Sequence, residues 1–374
     1  MKKTLLFLLT ALALTSCQND DTDFDAYTSG EATNGDIIYI AYNGSSVTVT
    51  GDTKGYVTTD GADVTVDTGA YTDSLLLVLT GTTSDGSLLV FRERKYGIRL
   101  DGVTIHNSDG PAINNQCGKS LYVEVVGGTT NTLSDGISYA DRSDADGNAI
   151  QQKGAFFSEG QTYFSGTGTL RVTGSTASAI ACDDFIVVDE ATITATSSTG
   201  HGFNVNDGFW VNSGTLDISV TGDACRGIKC DSVVVVAGGN ITIDTAGGCV
   251  YDETEADYSS AACIKCDYDF TMTGGTLTMT SSGDGGKGIN CAASVVVSGG
   301  TLSAVTTGSN DYGKPKAVKG DAGITLSGGS FYAKVSKSWA CDNGTESEEP
   351  SERLTVVGSP TEASYAKREV KVVF

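Results

Sequence analysis

The stretch that decides the fold begins at TLRVTGSTASAIACDD (169–184) and repeats with variation to SFYAKVSKSWACDN (330–343). Its first halves read TLRVTG (169), TITATS (192), TLDISV (215), NITIDT (240), TLTMTS (276), TLSAVT (301) and SFYAKV (330). A polar, Gly-rich turn follows each, and then a second short apolar run: AIACDD, GFNVND, GIKCDS, CIKCDY, GINCAA, AVKGDA and SWACDN. The apolar anchors of the second runs are Ile180, Phe203, Ile228, Ile264, Ile289, Val318 and Trp339, at spacings of 23, 25, 36, 25, 29 and 21 residues. Repeats of this length with variable corners are coils of a solenoid, each unable to bury its apolar side without its neighbours. Alternating apolar residues and the absence of any sustained 3.6-residue period make the chain all-β. The expected architecture is a parallel β-helix, one elongated domain over residues 36–374.

Outside the repeat, the chain opens with Lys2, Lys3 and an apolar run from Thr4 to Leu14, ending in Leu14-Thr15-Ser16-Cys17. The run is too short to span a bilayer core of about 30 Å, so residues 1–16 read as a signal peptide with a lipobox. Cys17 is then the lipidated first residue of the mature chain, and 17–35 an acidic, flexible tether. This predicts an outer-membrane, cell-surface lipoprotein that meets the membrane only through its lipid. Losing Lys2 and Lys3 takes the formal charge from −22 to −24. Such a balance excludes nucleic acid and anionic membrane surfaces as partners and is compatible with metal cations and glycans. The domain is expected to be a monomer.

From Asp36 to about Thr104 the repeat blurs into short strands that are expected to form opening coils and an N-terminal cap, because a solenoid must close its exposed edge. A polar insertion from Ser134 to Lys153 interrupts the coils. RLTVVG and REVKVVF, near the C-terminus, are expected to cover the other edge. Nine cysteines remain without Cys17, an odd number in an exported chain. Cys182, Cys230, Cys266, Cys291 and Cys341 each fall two residues after an anchor, so their thiols should stack inside the coil. Neighbouring coils are close enough for a disulfide without requiring one.

Several segments, DGVTIHNSDGPAI, NTLSDG, KGAFFSEG, SGTGTLRVTG and the GIKCD-type repeats, occur in the order seen in the bacterial carbohydrate-binding β-helix family similar to polysaccharide lyases, which the chain resembles over about residues 36–374. The resemblance implies a right-handed parallel β-helix, calcium ions on the coil surface and binding of plant-type polysaccharide, including acidic sugars. It does not by itself imply catalysis.

Two outward columns of the second runs carry chemistry. One reads Ala181, Asn204, Lys229, Lys265, Asn290, Lys319; the other reads Asp183, Asn206, Asp231, Asp267, Ala292, Asp321, Asp342. Two carboxylates stacked about 4.8 Å apart repel by about 3–4 kcal/mol at an effective dielectric of 20 and need a counter-charge. Lys229 and Lys265 supply one answer; calcium, bound by Asp231 and Asp267, is the other. The best calcium loop is the insertion of the 36-residue coil, with Asp252, Glu253, Glu255 and Asp257; Asp141, Asp144, Asp146 and the corner residues Asp223 and Asp284 are further candidates. Sugar stacking wants exposed rings, for which Tyr251, Tyr258, Tyr268, Trp210 and Tyr312 are the candidates, with Phe203 and Trp339 assigned to the core.

As an enzyme, the chain would be a calcium-dependent uronate lyase with Lys229 or Lys265 as base, Arg226 and Lys287 being also available. A lysine paired with aspartate is held charged, the wrong direction for a base. A hydrolase reading from Asp183-Asp184, Gly200-His201-Gly202 and Arg226-Gly227-Ile228-Lys229 lacks an Asn-Thr-Asp element. A non-catalytic structural adhesin is the third class.

Overall fold

The computed structural model describes residues 36–71, 73–254, 256–309 and 312–374. The signal segment, Cys17, the tether and Glu255 lie outside the described residues. What is described is a parallel β-helix of about 11 turns, 56% strand, with a single 3-10 turn at Pro350–Arg353 and no α-helix among the described residues.

Each regular coil contributes three strands. In one coil these are Arg226–Cys230, Val234–Val236 and Asn240–Thr245; in the next they are Ala262–Cys266, Phe270–Met272 and Thr276–Ser281. First strands stack only on first strands, in a 12-stranded sheet; second and third strands join in a 23-stranded sheet. The join is made by Tyr96–Asn107, which pairs with Leu121–Val125 through its first half and with Thr130–Asp135 through its second. Register is strict: Ile180, Phe203, Ile228, Ile264, Ile289 and Val318 are successive partners. All six are at most 1% exposed. The core is therefore a set of parallel columns rather than a centre, and each anchor packs on the one above and the one below.

The cysteines follow the same rule. Cys230, Cys266 and Cys291 are stacked partners, buried as free thiols. Burial pushes the Cys182, Cys263 and Cys341 thiols up to about 12, so they are inert fillers of small volume.

The ends are closed as a solenoid requires. Asp36–Asn43 pairs in parallel with Leu75–Thr83 and is covered by the antiparallel strand Val47–Thr50. At the other end Glu369–Val373 runs antiparallel to Ser330–Val335 and turns back on Glu362–Ala366.

The last coil departs from the sequence reading. Val318 pairs with Cys341, not with Trp339, and Lys319 pairs with Asp342. The final spacing is thus 23 residues, and Asp342 belongs to the column of Lys229 rather than that of Asp231. Trp339 is not in the core: its ring is clamped between the Arg353 guanidinium, 3.8 Å from its centroid, and Lys367 Nζ at 4.3 Å.

Candidate functional site

The outer face of the first strands carries the charges that the repeat placed there. Lys229 Nζ donates to Asp231 at 2.6 Å, Lys265 to Asp267 at 2.7 Å and Lys319 to Asp321 at 2.8 Å. Residues two apart in a strand point the same way, so each coil neutralises its own aspartate before the next coil is added. Earlier on this face Lys153 pairs with Asp183 at 2.5 Å.

The coil that is 36 residues long differs from its neighbours by an antiparallel hairpin, Cys249–Asp252 with Asp257–Ser260. Tyr251 and Tyr258 are cross-strand partners with ring centroids 5.2 Å apart, and Tyr258 reaches Tyr312 of a later corner at 5.7 Å. Tyr251 and Tyr312 are exposed by 44% and 58%. Asp252 and Asp257 are likewise partners across the hairpin, Asp252 Oδ1 accepting from the Thr254 N–H and Asp257 Oδ1 from the Tyr258 N–H. Glu253 is exposed in the connecting turn.

The returning strand of the hairpin lies over two cations from the coils on either side. Arg226 and Lys287 are both register partners of Ala262. Arg226 Nη2 donates to Ser259 Oγ at 2.7 Å, and Lys287 Nζ to Ser260 Oγ at 2.6 Å. The partners are neutral hydroxyls, and Arg226 Nε is buried without a hydrogen-bond partner among the described residues. Burial, reinforced by Lys319, Lys316 and Arg226, brings the Lys287 ammonium down to about 8. One coil earlier the Arg226 backbone N–H donates to His201 Nδ1 at 3.1 Å. Burial first, then Arg226, Lys229 and Lys265, hold that imidazole down to about 3, so it is neutral with its proton on Nε2.

The structure thus brings together Tyr251, Tyr258, Tyr312, Asp252 and Asp257 at the hairpin, above Arg226 and Lys287. Tyr268, 62% exposed, sits by itself in the turn after Cys266. Trp210 is on the outer face of a second strand. Asp223 and Asp284 serve as corner acceptors for the Gly248 and Ser309 N–H groups. Asp144 closes its own turn by accepting from Asp146, Asn148 and the Asn148 side chain. Among the described residues no three His, Cys, Asp or Glu side chains form a metal-holding group. A shallow depression of about 190 Å³ lies on the third-strand face, lined by Thr173, Thr196, Ser219 and Thr221, away from these residues.

Sequence reasoning missed three rings that accompany Trp210. Tyr122 and Tyr163 are partners with centroids 5.1 Å apart and planes 23° apart; Phe185 sits edge-on to Tyr163 at 5.6 Å and to Trp210 at 5.5 Å. They were legible only by aligning second strands, which are three to five residues long in these coils.

Comparison with known proteins agrees with this architecture. The sequence profile of a family described as carbohydrate-binding domain-containing protein matches residues 60–226 and 224–313. No curated protein matches by sequence. Among solved structures the chain is similar to the polysaccharide lyase-like protein from C. thermocellum, with a TM-score of 0.55, 18% identity, and coverage of 70% of this chain and 96% of that one.

Proposed function

Because the chain belongs to the carbohydrate-binding domain-containing family, we propose that it binds polysaccharide through the face bearing the hairpin Cys249–Ser260, as a monomer held at the cell surface by a lipid on Cys17. The observation that carries this reading is the coil broken by the hairpin. There the solenoid projects the exposed rings of Tyr251 and Tyr312, joined through Tyr258, above two cations with neutral partners. Rings of this kind pack on the C–H faces of sugars while their hydroxyls reach the polar edges. Arg226 and Lys287 favour a glycan that carries carboxylates.

Calcium assists this binding in the same reading, held at the hairpin. Asp231 and Asp267 already hold ammonium groups. Asp252 and Asp257 place two carboxylates at paired positions of a two-stranded ribbon. Like charges directly opposite are destabilising, and an oxygen-seeking cation between them removes that repulsion. Turn carbonyls and Glu253 would complete the shell.

Retention of the mature protein in polygalacturonate-containing gels tests this reading. Tyr258→Ala should weaken retention about tenfold, as truncation of a central ring does at other interfaces. Asp252→Asn with Asp257→Asn should abolish only the part that a chelator removes. Retention unchanged by Tyr258→Ala would sink the reading.

A lyase is the second reading, and one observation favours it: burial lowers the Lys287 ammonium toward the range a base needs. Its signature is chelator-sensitive absorbance from unsaturated uronates, lost in Lys287→Gln. Glycan retention without that absorbance leaves the binding module, and neither one leaves a structural adhesin.

A further inference from the structure

The aromatic rings on the second-strand face belong to no part of the hairpin, and three of them occupy one outward column of the coils. Down that column the partners read Gly97, Tyr122, Tyr163, Val187, Trp210, Val235, Thr271, Val296 and Thr325. Phe185, two residues before Val187, fills the gap between Tyr163 and Trp210. The later coils carry only β-branched residues there, which is what an outward strand position ordinarily takes. Large rings are confined to Tyr122–Trp210.

The core does not need them. The inward residues of the same strands, Val123, Phe164, Ile186 and Phe209, are already at most 1% exposed. The backbone is also shaped around one ring. Gly208 has φ +153°, and a Cβ there would lie 2.2 Å from the indole of Trp210, so only glycine lets the indole lie against the strand. The four half-buried rings hold one another edge to face or stacked, so little side-chain freedom remains to be lost on binding.

The borders of the ribbon decide what it accepts. On one side run Glu124, Ser165, Asp189 and Asn212 in register, with Asn212 Nδ2 donating to Asp189 at 3.2 Å and Arg99 paired with Glu124 at 2.6 Å. On the other, Ser120 donates to Gln161, and Gln161 donates to Asp184, whose carboxyl is raised by burial and by Asp207 despite that bond. Hydrogen-bonding groups therefore flank an apolar strip, and the carboxylates of Asp184 and Asp189 on its two borders disfavour a glycan bearing carboxylates.

We propose that the ribbon from Tyr122 through Tyr163 and Phe185 to Trp210 is a second polysaccharide site, which takes an extended, uncharged glycan lying along the solenoid axis. Three coil steps of about 4.8 Å span roughly 14 Å, enough for a short extended oligosaccharide whose C–H faces rest on the rings while its hydroxyls meet the two polar borders. The site rests on the family's carbohydrate binding but on none of the hairpin residues, so either site can fail without the other.

Trp210 is its own reporter. The chain has two tryptophans, and Trp339→Phe leaves Trp210 as the sole indole. In that variant, titration with soluble β-1,4-linked gluco-, manno- and xylo-oligosaccharides should shift Trp210 emission saturably for at least one of the three. Chelator and Tyr258→Ala should leave the shift unchanged. Tyr163→Thr, which installs the residue type that later coils carry in this column, should weaken it about tenfold without changing the far-ultraviolet circular dichroism. Retention of wild-type protein in gels containing the same neutral polysaccharides repeats the comparison with Trp339 intact. Emission unmoved by all three neutral series, a shift produced only by polygalacturonate, or undiminished binding by Tyr163→Thr would each overturn the proposal, while loss of polygalacturonate retention in Tyr258→Ala would still uphold the hairpin site.

Discussion

The first-strand face and the second-strand face are built from the same coils with the same rise, yet they solve the outward column differently. On the first face the repeat produces stacked charge, and each coil cancels it internally through Lys229–Asp231, Lys265–Asp267 and Lys319–Asp321. On the second face it produces a run of half-buried rings that pack on one another from coil to coil. A solenoid multiplies whatever occupies one register position. A column that is electrostatically complete within each coil has little left for a ligand, whereas a half-buried aromatic column with polar borders still presents ring faces. The hairpin is a third case, where function is added by interrupting the repeat rather than by extending it.

The sharpest way to break this comparison lies in two adjacent residues. Phe209 is fully buried, in T-shaped contact with Phe203 at 5.0 Å, whereas Trp210 faces outward. Phe209→Ala should cost about 3–5 kcal/mol of stability, through lost transfer energy and the cavity left between coils. Trp210→Ala should cost far less stability and remove neutral-glycan binding. Denaturant midpoints of the two variants measure the first difference. Equal losses of stability would mean that the ribbon is part of the core.

The same adjacency shows what could be read in advance. Inward positions were legible because burial imposes a strict period: Ile180 to Val318 and the Cys230–Cys266–Cys291 column emerged directly from the repeat. The last coil slipped by two because the shared Cys-Asp pair aligned SWACDN with GIKCDS, and the chain after the repeat overrode it. Arg353 and Lys367 hold Trp339 outside, so Cys341 takes the anchor position. Of the hairpin, the acids and tyrosines were visible as an insertion. Their seating over Arg226 and Lys287 was not, since those three segments lie in different coils. The ribbon was invisible for a further reason: Phe185 is offset by two residues from the column that it completes.

A prediction of intermediate size concerns pH and the charged face. His201 has an ordinary value of 6.5 and is held near 3 in the fold, by burial and then by Arg226, Lys229 and Lys265. Below 6.5 the unfolded chain therefore takes up a proton that the folded chain refuses, and stability falls as the pH drops from 6.5 toward 3. The expected loss from this group is on the order of a few kcal/mol. His201→Gln, which can still accept the Arg226 N–H, should flatten that part of the stability-against-pH curve. An unchanged slope would show that the imidazole is protonated in the fold and that the cations around it are more weakly felt than the geometry indicates.

The smallest expected effect tests the claim that the ladder is complete within each coil. A double-mutant cycle on Lys229→Ala and Asp231→Ala should give a coupling of only about 0.2–1 kcal/mol, because both partners are partly exposed and solvent screens the pair. Raising the salt should shrink it further. Coupling between Lys229 and Asp267, one coil away, should be smaller still. If that inter-coil coupling proved the larger, the charges would act as a continuous ladder rather than as closed pairs, and Asp231 and Asp267 would regain the unbalanced charge that a bound cation requires. A cycle that shrinks with salt within the coil and is silent between coils would instead strengthen the contrast with the ribbon, where neighbouring coils touch ring to ring and truncating any one ring should be felt by the next.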